Sequence, residues 1–141
     1  MSDAAVKQER EEAIKVLLVD DHEHVLWGLT KLIDGEWPHM MVIGSASTVS
    51  QARTLMQNRR PDVVVLDAYL GKENALDAAP PLVTPDGPRV ILLTGCLDAG
   101  LRGRAVAAGA KAVVTKDAPA EMLLTEIERV YREGRASRAV S

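Results

Sequence analysis

Five stretches of the chain are apolar over strand length without alternating: "IKVLLVD" from Ile14, "MMVIGSA" from Met40, "VVVLD" from Val63, "RVILLTG" from Arg89 and the shorter "KAVVTK" from Lys111. A half-buried strand alternates apolar and polar residues, so continuous runs predict strands of a parallel sheet covered on both faces. Between them the period lengthens to that of helices. Val25, Leu29, Leu32 and Ile33 form an i, i+4, i+7, i+8 stripe, which Leu123, Ile127, Val130 and Tyr131 repeat. Thr48 followed by Gln51 reads as a capping box, with Val49, Ala52, Leu55 and Met56 on the buried face until Pro61 forces a stop. A third helix, near "NALDAAPPLV", is kept short by Pro80 and Pro81. The fourth is predicted through "DAGLRGRAVAAG", where Gly100 and Gly103 each cost about 1 kcal/mol in a helix interior and make it the least stable helix. The last is predicted to be capped by Asp117, to hold Pro119 in its first turn and to end at Gly134.

Strand and helix alternate five times, which predicts an α/β domain with a doubly wound parallel sheet and right-handed crossovers. Such sheets have two common strand orders, the dinucleotide-binding one and the flavodoxin-like 2-1-3-4-5. In both, ligands sit at the carboxyl ends of the strands where the winding reverses. In the second order that point lies between strands one and three, which end in Asp20 and Asp21 and in Asp67. An ionised carboxylate is prohibitive in a dry core, so an aliphatic strand that runs into Asp67 places that acid where the strand leaves its sheet. Three carboxylates at one mouth repel one another, and protonation or a cation must relieve them. All-oxygen ligands favour Mg²⁺ or Mn²⁺ over zinc. Strands four and five end at Thr94 and Lys116. A carboxylate nucleophile, a hard cation, a hydroxyl and an ammonium are the parts needed to accept a phosphoryl group.

Composition narrows the class. With 141 residues, 47% of them hydrophobic, the chain suits one domain with a single core. The polar stretch 1–13 reads as an N-terminal tail, 14–134 as the folded domain and 135–141 as a C-terminal linker or tail. A net charge of −3 with scattered basic residues argues against direct binding to nucleic acid or an anionic membrane. The single cysteine, Cys96, cannot form an internal disulfide, the N-terminus is too polar for a signal peptide, and no apolar run reaches the ~18 residues of a membrane span. The expected setting is soluble and cytoplasmic. His22 and His24, two residues apart, do not share a helix face and are assigned surface or helix-end roles; His39 carries no signal. A redox role for Cys96 would need a stabilised thiolate, which an acidic mouth opposes.

The stretches "VLLVDDH", "VVVLD", "VILLTG" and "AVVTKDAPAEML", in this order and at strand ends, closely resemble a bacterial response-regulator receiver domain from about Ile14 to Gly134. The "DDH" opening and the later "KDAP" resemble the NarL/LuxR type, whose receivers usually precede a helix-turn-helix transcription domain. The resemblance implies a flavodoxin-like doubly wound (βα)5 fold with a five-stranded parallel sheet of order 2-1-3-4-5. It implies that Asp67 accepts a phosphoryl group from a sensor histidine kinase or phosphotransfer domain. Mg²⁺, or Mn²⁺ in its place, would be bound by Asp21, Asp67 and the backbone carbonyl of Tyr69, with Asp20 acting nearby through water. Thr94 and Lys116 would meet phosphoryl oxygens. The chain would then be a signalling domain rather than an enzyme, assisting its own phosphorylation and dephosphorylation. DNA would be reached only through a C-terminal domain outside this chain, and no membrane is involved.

Departures from the family pattern are specific. The loop after Asp67 reads "DAYLGKENAL" without the usual proline, and Tyr69 is bulky enough to shield an acyl phosphate from water. Ala112 and Val113 stand where glycine and an aromatic are usual, which shifts the expected switch onto Thr94, the adjoining loop and the labile fourth helix. On the first helix the core stripe turns Trp27 and part of Leu26 outward, a candidate docking surface for the kinase, a phosphotransfer domain or a second receiver in a homodimer. A haloacid-dehalogenase-like phosphatase would need a second acid where Tyr69 stands. The retained alternative is a pseudo-receiver, a phosphate-independent docking module; such modules commonly lose a key residue, and here none is lost.

Overall fold

The computed structural model describes residues 13–70, 73–74, 87–95 and 100–140. Seven strands and four helices occur among them: β1 (Ile14–Val19), α1 (Glu23–Asp34), β2 (Met40–Ala46), α2 (Val49–Arg59), β3 (Val63–Asp67), β4 (Tyr69–Leu70), β5 (Glu73–Asn74), β6 (Arg89–Thr94), α3 (Leu101–Ala107), β7 (Ala112–Thr115) and α4 (Ala120–Val140). The main sheet is parallel, in the order β2-β1-β3-β6-β7. With the small antiparallel β4–β5 pair set aside, this is the order 2-1-3-4-5 that the resemblance implied. The third helix expected near "NALDAAPPLV" falls almost wholly outside the described residues, as does Cys96.

The continuous aliphatic runs serve two layers at once, because successive side chains of a strand point to opposite faces. Leu17, Val19, Val64, Leu66, Val90, Leu92 and Val113 pack with Val49 and Ala52 of α2 and Leu101 and Ala105 of α3. Ile14, Val16, Leu18, Val63, Val65, Ile91, Leu93 and Val114 pack with Ile33 of α1 and Leu123, Ile127 and Val130 of α4. The sheet is thus wound on both faces. One irregularity lies in β1–β2, where Val16 pairs with Val42 but Leu17 with Gly44. Ile43 is the extra residue of this bulge, and its carbonyl accepts a hydrogen bond from Arg59 Nη1 at 2.6 Å.

Several helix ends differ from expectation. Thr48 caps α2 as predicted, accepting from the Gln51 N–H at 3.1 Å, but the Gln51 side chain reaches the N–H of Ser47 instead of that of Thr48. The α2 helix stops at Arg59, and Arg60 takes a left-handed conformation with φ 47° just before Pro61, which disfavours the α region for the preceding residue. The α3 helix is shorter than predicted: Gly100 is its N-cap, so only Gly103 lies in its interior. The α4 helix begins at Ala120, after Pro119, and passes through Gly134 to Val140. Gly134 is a contact glycine, since a Cβ there would stand 2.7 Å from Nε of Arg89. Among the described residues no helix is long and apolar enough to cross a membrane.

Candidate phosphoacceptor and metal site

The strand parity that buries Leu18, Val65 and Val114 under α1 and α4 continues past the sheet's carboxyl edge to Asp20, Asp67 and Lys116. These three side chains therefore leave the sheet on the same side and meet. Asp67, the last residue of β3, is 3% exposed, and Asp20 is 1% exposed. Lys116 lies just beyond β7, its N–H donating to the Thr94 carbonyl at 2.7 Å, and its Nζ stands 3.3 Å from Asp67 Oδ2 and 3.8 Å from Asp20 Oδ2. Thr94 ends β6 fully buried, one residue past Leu93, the partner of Asp67. Asp21 is the most open acid of the group, its side chain 30% exposed.

Among the described residues, two buried acids and the more open Asp21 face one ammonium, that of Lys116, and the pocket is under-neutralised. The second carboxylate oxygens of Asp20 and Asp67 are buried and accept no hydrogen bond. Burial raises the pKa of Asp67, and the neighbouring Asp20 charge raises it further. The N–H of Tyr69, 3.3 Å from Asp67 Oδ1, and Lys116 pull the other way without cancelling the effect. A buried carboxylate oxygen facing other carboxylates calls for a cation, and oxygen donors suit a hard divalent ion such as Mg²⁺ or Mn²⁺. The residues present fit such an ion.

His22 is a member of this site that the sequence reading missed. It does hold the helix-end place expected of it, as N-cap of α1, but its extended backbone (φ −104°, ψ 110°) turns the ring back into the mouth. Its Nδ1 lies 2.8 Å from Asp20 Oδ1, 3.1 Å from Asp21 Oδ1 and 3.9 Å from Asp67 Oδ2, and its N–H donates to Asp20 Oδ1 at 2.9 Å. The hydrogen bond to Asp20 and the charge of Asp21 raise its pKa above the usual histidine value. Asp20, Asp21, His22 and Asp67 offer four ligand atoms within 4.8 Å of one another. The signal for His22 was its position next to two acids, which outweighs helix-face arguments at a cap.

The other sequence-predicted residues separate cleanly. Val113 is buried in the α2–α3 layer, opposite the face on which Asp20 and Asp67 leave the sheet. Tyr69 is 53% exposed at the start of β4. Trp27 is 67% exposed on α1, with Lys31 Nζ 5.2 Å from its ring centroid, whereas Leu26 is half-buried against the α1–α4 layer.

Comparison with known proteins agrees with this arrangement. Among curated proteins, the chain is 38% identical over 106 residues to the DNA-binding transcriptional activator DevR/DosR of Mycobacterium tuberculosis, covering 74% of this chain and 48% of that protein. It is 32% identical over 117 residues to the transcriptional regulatory protein DesR of Bacillus subtilis, covering 83% and 58%. The chain thus spans about half the length of the curated relatives it matches. A LuxR-family two-component response regulator from Aurantimonas superposes with TM-score 0.79 at 29% identity over 86% of each chain. The receiver domain of NarL from M. tuberculosis, at TM-score 0.77 and 21% identity over 85% of this chain and 97% of that one, shares the fold. Residues 16–128 match the response regulator receiver domain family, and the chain belongs to that family.

Proposed function

We propose that this chain is the phosphoacceptor module of a two-component regulator and that Asp67 receives the phosphoryl group. The observation that carries the reading is the pair of buried carboxylates, Asp20 and Asp67, each with an oxygen that accepts no hydrogen bond, beside the ammonium of Lys116. In the transfer a carboxylate oxygen of Asp67 forms a bond to phosphorus while the bond to the donor breaks. The donor atom, a histidine nitrogen of a sensor kinase or phosphotransfer domain, keeps the electron pair. Asp20, Asp21, Asp67 and the backbone carbonyl of Tyr69 would hold Mg²⁺, which when bound neutralises phosphoryl oxygens and relieves the repulsion among the acids. Lys116 pairs with one phosphoryl oxygen and the Thr94 hydroxyl donates to another.

The new charge on Asp67 draws Thr94 and Lys116 toward it, and such a local event becomes a signal only through an element with two arrangements. The short α3 helix, with Gly103 inside it, is that element, and Val113 fills the place of the usual aromatic without following the switch. Exposed Trp27, with Leu26 beside it, is the docking point for the kinase, a phosphotransfer domain or a second receiver. The output is transcription, through a DNA-binding region outside these residues; support comes from the relatives, a DNA-binding transcriptional activator and a transcriptional regulatory protein, which extend well beyond the matched segment. A small-molecule phosphodonor such as acetyl phosphate, added with Mg²⁺ and followed by intact mass, tests the reading: one phosphoryl group is gained. Uptake that is unaffected by Asp67→Asn, or by removal of the metal, sinks it.

A further inference from the structure

His22 stands in the acidic mouth with a nitrogen donor aimed at the same point as the carboxylates. In an octahedral site with bonds near 2.1 Å, neighbouring ligand atoms are about 3.0 Å apart and opposite ones about 4.2 Å. The Nδ1 atom lies 2.8 and 3.1 Å from Asp20 Oδ1 and Asp21 Oδ1, and 3.9 Å from Asp67 Oδ2. Those spacings are close to a corner with two neighbours and one opposite ligand. The buried Oδ2 atoms of Asp20 and Asp67 accept no hydrogen bond and share the ammonium of Lys116, at 3.8 and 3.3 Å, which leaves them short of positive charge and points to a bound cation. As N-cap the ring makes no side-chain hydrogen bond to the helix; its Nδ1 is hydrogen-bonded to Asp20 Oδ1 at 2.8 Å, a contact that a cation between the two atoms would replace. With its proton on Nε2, a neutral imidazole presents a lone pair at Nδ1.

We propose that His22 Nδ1 is a direct ligand of the divalent cation at this mouth and that it biases the site toward Mn²⁺ over Mg²⁺. The inference rests on the reading that Asp20, Asp21 and Asp67 hold a cation. Imidazole adds affinity for transition metals that it does not add for Mg²⁺, which takes oxygen donors and keeps much of its water. The all-oxygen expectation drawn from the sequence is thereby amended by one nitrogen.

The test is the hyperfine spectrum of Mn²⁺ bound to the full chain, by electron spin-echo envelope modulation, with histidine nitrogens of natural abundance and then isotopically replaced. A strong coupling from one directly bound nitrogen, which changes with the isotope and persists in His24→Ala, is the expected result. In His22→Ala that coupling disappears, Mn²⁺ affinity falls about tenfold and Mg²⁺ affinity by less than about threefold. Bound Mn²⁺ without a directly coordinated nitrogen overturns the role of His22 and leaves the cation site intact. Equal losses for the two metals overturn the selectivity. Failure of Mn²⁺ to bind at millimolar concentration, measured from the free-ion signal, overturns the cation site and the role of His22 with it.

Discussion

Asp67→Asn tests the electrostatics of the mouth without reference to phosphate. The substitution keeps the shape of the side chain and removes one charge from a position that is 3% exposed. At an effective dielectric constant of ~20, a second carboxylate at 4.8 Å, the outer limit of the ligand cluster, repels Asp67 by about 3.5 kcal/mol. Asp20 and Asp21 both contribute. Lys116 at 3.3 Å returns about 5 kcal/mol of attraction. With His22 neutral, the balance disfavours the charge by about 2 kcal/mol, and burial adds to it. Relaxation of the side chains takes part of this back, so without divalent cations the Asn variant should be more stable by about 1–3 kcal/mol. The pKa of folded Asp67 is raised, so the folded state holds a proton that the unfolded state has lost. Stability from this group therefore falls as pH rises from the unfolded value through the folded one, and the advantage of Asn appears across that window. His22, 3.9 Å from Asp67 Oδ2, offsets the repulsion while it is protonated, and its pKa is raised, so the full advantage of Asn is reached only once His22 has lost its proton. Urea unfolding of both proteins in EDTA, from about pH 4 to pH 8.5, measures it. Millimolar Mg²⁺ should raise the midpoint of the wild type more than that of the variant. An Asn variant of equal or lower stability at high pH would refute the claim that the mouth is under-neutralised.

Three further outcomes follow from the packing. Trp27→Ala should slow phosphotransfer from the kinase at least several-fold while leaving uptake from acetyl phosphate and the unfolding midpoint unchanged; equal kinase rates would remove Trp27 from the docking surface. The pKa of Glu126 is lowered by its hydrogen bond to Arg129. Burial pushes Glu128 up, but hydrogen bonds from His39 and Arg132 outweigh it and hold its pKa low. Their stabilisation is present above the unfolded glutamate value near 4.5 and is lost as pH falls through the folded values, about 0.5 kcal/mol for each. A Glu126→Gln, Glu128→Gln double variant should therefore lose about 1 kcal/mol less than wild type between pH 6 and pH 3 in chemical denaturation. Gly28 and Gly103 lie in helices with nothing within 4 Å of an added Cβ, so each change to Ala should stabilise by about 0.5–1 kcal/mol, read as a rise in Tm; a loss at either would mean that its helix is not formed as described.

The strands were legible because a parallel sheet covered on both faces demands unbroken aliphatic runs, and the five runs correspond to β1, β2, β3, β6 and β7 within a residue at the ends. Asp67 was legible for the same reason, as the charged end of a run that has no other place for a charge. What the sequence could not show is how backbone direction at an element's edge re-aims a side chain. Gln51 has the right type and spacing for a capping box, yet its amide serves Ser47, because the backbone before Thr48 lies within its reach. His22 was weighed by helix periodicity although it sits at the cap, where the chain is still extended and that periodicity does not hold. Gly134 resembled a helix stop, and only the packing of α4 against Arg89 reveals the close approach that it permits. Gly100, counted as a helix interior residue, lies at the N-cap, so the instability expected of α3 rests on Gly103 and the helix's short length.

The most direct test of the central claim is to locate the phosphoryl group. The chain is phosphorylated by a small-molecule donor with Mg²⁺, the acyl phosphate is reduced with borohydride, and the digest is sequenced by mass spectrometry. Reduction of an aspartyl phosphate leaves homoserine, and the account predicts it at position 67 alone, absent when the donor or the metal is omitted. Homoserine at Asp20 or Asp21, or a stable phosphoryl group on a hydroxyl or histidine, would contradict it.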